Sequence, residues 1–75
     1  MADDIQEQVR RDLLDQLLEK ISDDPYPSIT MMNMAEELIT PDELGEYVGV
    51  LMEKVRDERF PSVSMLGRIR DLAMG

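Results

Sequence analysis

Catalysis needs a side chain that titrates near neutrality or attacks a bond, and the most common candidates are missing here: the 75-residue chain contains neither histidine nor cysteine. Ser22, Ser28, Ser62, Ser64, Thr30 and Thr40 are the hydroxyls, and none stands in the glycine-flanked elbow that exposes a nucleophilic serine. The paired acids Asp23 with Asp24 and Asp57 with Glu58 lack the alternating oxygen ligands and central glycine of a calcium loop. With no thiolate or imidazole there is no zinc set either. These residues predict a protein that is not an enzyme and carries no cofactor or metal. The chemistry they leave open is recognition. Met32 and Met34 suit it, because an unbranched thioether adapts to irregular partners.

What must position such residues is written in a repeat. Leu17 to Met32 reads LLEKISDDPYPSITMM, and Leu51 to Leu66 reads LMEKVRDERFPSVSML, in register at a spacing of 34 residues. Seven of the sixteen positions are identical, and seven more are close replacements such as Tyr26 with Phe60. Periodicity gives each copy a long helix followed by a short one. In the first, Leu13, Leu14, Leu17, Leu18 and Ile21 fall on an arc of about 140 degrees, the stripe of a core-facing helix. Ile5 and Val9 drift off that arc and Arg10 falls within it, so the first turns are expected to extend past the core.

Ser22, Asp23, Asp24 and Pro25 end this helix, and Ser28 caps the next, with Pro27 in its first turn as a second possibility. Met31, Met32, Met34, Ala35, Leu38 and Ile39 share one face of it, with Asn33, Glu36 and Glu37 opposite. Thr40, Pro41 and Glu43 form a capping-box signature for the third helix, whose stripe is Leu44, Tyr47, Val48, Leu51, Met52 and Val55. Ser62 caps the fourth, in which Val63, Met65, Leu66, Ile69, Leu72 and Ala73 are expected to face inward. The aromatic rings of Tyr26 and Phe60 are read as covers for the two hairpin corners. The expected helices are 4–22, 28–39, 41–57 and 62–73. Residues 1–75 then form one all-α, four-helix domain of two tandem helix-turn-helix quasi-repeats, about 13–39 and 47–73. Each hairpin buries against the other the face it cannot bury alone. The tryptophan, leucine-glycine and tyrosine pattern of tetratricopeptide repeats is missing, so that family is set aside.

Several positions read as interface candidates. Gly45 and Gly49 weaken the third helix by about 1 kcal/mol each relative to alanine, and close approach of a second helix, within the domain or across a dimer, is one compensation. Arg68 and Arg70 replace Met34 and Glu36 of the first copy and give the fourth helix a basic flank. With Ile5, Val9, Met32 and Met34 they complete the set.

Seventeen acids against eight bases give a formal net charge of −9. Such a chain repels nucleic-acid phosphates, whose binding depends on cations displacing counterions, so direct nucleic-acid binding is not expected. There is no run of eighteen apolar residues to cross a membrane, nor a basic start leading into an apolar secretory segment. A soluble intracellular protein is the expectation.

Tyr26-Pro27-Ser28-Ile29-Thr30-Met31-Met32-Asn33-Met34, then Thr40-Pro41-Asp42-Glu43-Leu44 and Phe60-Pro61-Ser62, resemble segments of small acidic all-helical proteins, of uncharacterised role, from actinobacteria and their bacteriophages. The resemblance implies a phage or prophage origin, and with it the cytoplasm of a bacterial or phage-infected cell, and carries over no activity, cofactor or site. The leading expectation is a non-enzymatic module that binds a protein partner or assembles as a homodimer. Two alternatives stand beside it. One is a structural component of a phage particle. The other is an acidic decoy that mimics nucleic acid through Asp12, Asp15, Glu19, Glu46 and Glu53 to block a DNA-binding protein.

Overall fold

A computed structural model describes residues 2–57 and 62–75. Four helices follow one another: α1 (Ala2–Asp23), α2 (Ile29–Leu38), α3 (Leu44–Asp57) and α4 (Val63–Met74). A short 3-10 turn, Pro41–Glu43, leads into α3. It corrects the expected helix start at residue 41. Glu43 reaches back to the Thr40 amide at 3.0 Å while its own amide bonds the Thr40 carbonyl, and this tight turn precedes the first α-helical hydrogen bonds.

Each repeat unit folds as a hairpin, with α2 on α1 and α4 on α3, and the two hairpins join through the long helices α1 and α3. The doubling explains this order. Leu14, Leu17, Leu18 and Ile21 of α1 meet Tyr47 and Leu51 of α3 in the core, and Met32 with Ala35 of α2 and Met65 of α4 close it from the sides. Leu17 and Leu51 are repeat equivalents, as are Met31 and Met65, so the same stripe is used twice from opposite sides. The result is an all-α four-helix domain with inner long helices and outer short ones.

The serine caps form as the repeat predicts. Ser28 Oγ accepts from the Met31 amide at 3.3 Å, and Ser62 Oγ accepts from the Met65 amide at 3.1 Å. The first corner is closed differently from expectation. Tyr26 is 89% exposed and does not cover the corner. Instead the Asp24 carboxylate takes the Tyr26 amide in an Asx turn, and Lys54, from the second repeat, donates to the Asp24 carbonyl. The equivalent expectation for Phe60 lies outside the described residues.

The expected inward stripes are too wide on α3 and α4. Met52 is 44% exposed, Leu66 43% and Val63 83%, and Ala73 also faces solvent. An outer helix with one neighbouring helix needs only a narrow seam, and α4 uses Met65, Ile69 and Leu72 at i, i+4 and i+7 for it. The repeat equivalents Leu13 and Tyr47 also part company: the leucine is 40% exposed, and the tyrosine is fully buried.

At the far end, Arg10 shows why its place within the apolar arc is tolerated. It donates to the Leu38 carbonyl at 2.8 Å and to Glu43 at 2.7 Å, and Arg11 reaches Glu43 at 2.8 Å. One carboxylate thus ties α1 to the joint between α2 and α3. Beyond this clasp, residues 4–9 are all exposed. The Arg10 guanidinium, then the Thr40 amide and Arg11, hold the Glu43 carboxyl far below its ordinary value of 4.5. Because the folded value is depressed, this contribution to stability is complete above about pH 4.5 and drains as the pH falls through and below it. We therefore expect Glu43→Gln to be less stable than the parent at neutrality. The gap should narrow steadily below pH 4.5, as read from urea midpoints at a series of pH values. A gap that is constant with pH rules the clasp out as a source of acid sensitivity.

Candidate functional site

The two outer helices lie on the same side of the α1–α3 layer but do not pack on each other as the other neighbours do. Between them runs an open groove of about 720 Å³. Tyr26, Ile29 and Met32 supply one wall, and Met65, Gly67 and Leu72 supply the other. Ile29 is 63% exposed although isoleucine has no polar atom to reward that placement. It sits just after the Ser28 cap, where the capping geometry fixes the entry to α2 whatever the next side chain prefers.

A polar brace spans the groove and fixes the spacing of its walls. Arg68 of α4 donates to Glu36 of α2, and to Asn33 Oδ1 at 2.9 Å. Beneath them the Tyr47 hydroxyl lies 2.6 Å from the same Glu36 carboxylate and 3.3 Å from the Met32 carbonyl. The phenol has one proton, and the nearer, charged acceptor takes it. Burial, then the Glu36 carboxylate, push the Tyr47 phenol well above its ordinary range, so it remains a donor at any physiological pH. Burial works against the Arg68 charge, and Glu36 outweighs it. Three helices therefore meet at one carboxylate. Sequence periodicity places Glu36 on the solvent side of α2; the structure corrects this, because the groove lets solvent and α4 share that face.

The expected interface residues divide among several places. Met32, Arg68 and Arg70 line the groove. Met32 is 5% exposed, which corrects its reading as a surface anchor: it is a core side chain that also floors the groove, because α2 is pinned on both α1 and α3. Arg70 bonds the adjacent Asp71 at 3.1 Å and keeps 69% of its side chain in solvent. Ile5 and Val9 stand on the projecting turns of α1, 67% and 59% exposed. Met34 is 40% exposed on α2, apart from the groove lining. A Cβ built on Gly45 or Gly49 meets nothing within 4 Å, so no described helix of this chain approaches there, and the intramolecular reason for those glycines falls away. The site residues that sequence reasoning missed are Tyr47, Glu36, Ile29 and Leu72. One signal pointed to Glu36 alone: an arginine at position 68, where the repeat has methionine, calls for a carboxylate close by.

Elsewhere the acidic faces are partly neutralised. Arg11 pairs with Asp15 at 3.0 Å and with Glu46 at 3.2 Å, and Arg56 pairs with Glu53 at 3.3 Å. A second hollow of about 470 Å³ beside Lys20 and Met31 is walled by Glu19, Asp23 and Asp24. Among the described residues no cluster of three or more potential metal ligands occurs, and no helix is long and apolar enough to cross a membrane. Compared with known proteins, the chain matches no family model, and neither a curated protein nor a solved structure matches it significantly. The likeness to actinobacterial and phage proteins rests on the residues quoted above alone.

Proposed function

We propose that this chain is a non-enzymatic docking module, which receives an amphipathic helix of acidic character in the groove between α2 and α4. The observation that carries the reading is the groove itself, with Ile29, Met32, Met65 and Leu72 along its walls, the Glu36–Arg68 brace across it and a mostly exposed Arg70, bonded to Asp71, at the rim. An apolar channel fixed by a few polar groups is how proteins accept a helix, with the anchors at i, i+3, i+4 and i+7. The partner is read as acidic because α4 supplies Arg68 and Arg70 there, which with Glu36 and Asp71 leave the groove lining without net charge on a chain whose formal net charge is −9. Membership of a phage assembly is a setting in which such a module operates. The acidic-decoy reading is less well supported, since arginines hold Asp15, Glu46 and Glu53, three of its five acids.

The test is a fluorescence-anisotropy titration with three labelled amphipathic peptides of equal apolar content and net charge negative, zero and positive. The reading expects the acidic peptide to bind most tightly, and Ile29→Glu, at an exposed position of the groove wall, to abolish the binding while circular dichroism stays helical. Equal binding of all three, or tightest binding of the basic one, contradicts it.

A further inference from the structure

The two repeat units are related by a step along a stack and not by a twofold turn. Arg10 of α1 meets Glu43 just before α3, and Asp24, just past the end of α1, meets Lys54 near the end of α3, so the two long helices run parallel. Units related in this way touch through unlike faces. The first unit brings Leu18 and Met32 to the internal seam, 7% and 5% exposed, and the second brings the fully buried Tyr47.

Each of these residues has a repeat equivalent at the far side of the molecule, and there the cover is missing. Leu18 and Met32 correspond to Met52 and Leu66, which are 44% and 43% exposed, and Tyr47 corresponds to Leu13, which is 40% exposed. The second unit thus presents again the face that the first unit packs with, and the first presents again the face that the second packs with. The terminal units of a helical stack ordinarily carry polar outer faces. These two carry apolar ones.

The charged residues of the internal seam are replaced in pairs. Across it Arg10 and Arg11 hold Glu43. At the repeat spacing of 34 residues, Leu44 and Gly45 stand for the arginines, and Val9 stands for the glutamate. Both partners of each ion pair are lost together, so an apolar contact fits where the clasp was. Ile5, Val9 and Leu13 form a ridge on one free face. On the other, a Cβ built on Gly45 or Gly49 meets nothing within 4 Å, which leaves a furrow beside Leu44 and Val48. The acids near the ridge do not block the approach. Glu19 and Asp23 correspond to Glu53 and Asp57, which stay exposed beside the internal seam.

We infer that copies of this chain stack head to tail, the first unit of one on the second unit of the next, through the same seam that joins the two units within the chain. The inference does not depend on the groove between α2 and α4. The contact is heterologous, so a dimer still carries one free face of each kind and further copies add to it.

Sedimentation velocity of the full chain over a concentration series reads the assembly, at a moderate salt that screens the net charge of −9 on each copy. The average mass should climb past that of a dimer. Val9→Asp on one face and Gly45→Glu on the other each place a carboxylate in the seam with no cation opposite. Each should weaken self-association at least about a hundredfold. Both positions are exposed, so circular dichroism should stay helical; if either variant loses helix, Ile5→Asp and Gly49→Glu replace the pair. The decisive sample is the mixture. Each variant keeps the face that the other has lost, so together they should form one-to-one dimers as tight as a single parent contact, and nothing larger. A parent that is monomeric at every concentration or stops at a dimer, assembly indifferent to both variants, or a mixture as monomeric as its components each overturns the inference.

Discussion

Replacing Tyr47 with alanine is expected to lower the unfolding free energy by about 4 kcal/mol, from the range observed when large buried aromatics are cut to a methyl group. The side chain is fully buried at the meeting point of α1, α2 and α3, and it is among the largest of the buried side chains. A domain of this length has a total stability of roughly 4–11 kcal/mol by the usual per-residue range, so the variant should be largely unfolded or close to it. Tyr47→Phe separates packing from hydrogen bonding. It keeps the ring and removes the proton given to Glu36, and should cost about 1 kcal/mol. Urea unfolding followed by circular dichroism measures both. A loss below about 1 kcal/mol for the alanine variant contradicts the placement of this ring at the centre of the core.

The second large effect belongs to Arg68. Changing it to methionine, the residue its repeat equivalent carries, keeps much of the apolar length of the side chain and removes the charge. Glu36 is then left with a carboxylate only 25% exposed and without its cation. Breaking a fully buried pair costs about 3–5 kcal/mol, and partial exposure of both partners scales this down to about 2 kcal/mol. Adding Glu36→Gln should restore part of the loss, since the uncompensated charge goes with it. A double-mutant cycle gives the coupling directly. Because the brace spans the groove, Arg68→Met should also weaken acidic-peptide binding more than its stability loss alone accounts for. If it is neutral in stability and binding, the pair is an incidental surface contact and the groove is not braced.

The difference between what the sequence revealed and what it hid follows from the range over which each signal acts. Helix existence and the serine caps are local. Ser28 and Ser62 bond amides three residues away, so the repeated Pro-Ser pair was enough to place them. The hairpin pairing was legible because two copies of one stripe, through Leu17 and Leu51, have to be buried against something equivalent. What stayed hidden depended on residues more than thirty positions apart. Arg10 lies on the apolar arc of α1 because Glu43 waits across the helix joint, and no periodicity records that. Glu36 looks solvent-facing on its own helix until Arg68 arrives from α4. The outer face of α4, with Val63 and Leu66, read as buried because hydropathy counts apolar residues without counting the neighbours available to cover them. Of the site, sequence reasoning named Met32, Arg68 and Arg70 individually. Their assembly into a groove required knowing that α2 and α4 stand on the same side of the long helices.

The seven methionines provide the most direct test of the groove as a docking surface, because they report from several faces of one small molecule. Met32 and Met65 line the groove, Met31 lines the second hollow, and Met52 is exposed on α3 outside both linings. The measurement is a methyl-resolved nuclear magnetic resonance titration of the full chain, selectively labelled at methionine, with the acidic amphipathic peptide. Docking in the groove predicts that the Met32 and Met65 methyls shift together along one saturating curve while those of Met31 and Met52 hold still. Shifts confined to Met31 or Met52, or no saturable shift at Met32 and Met65, contradict it.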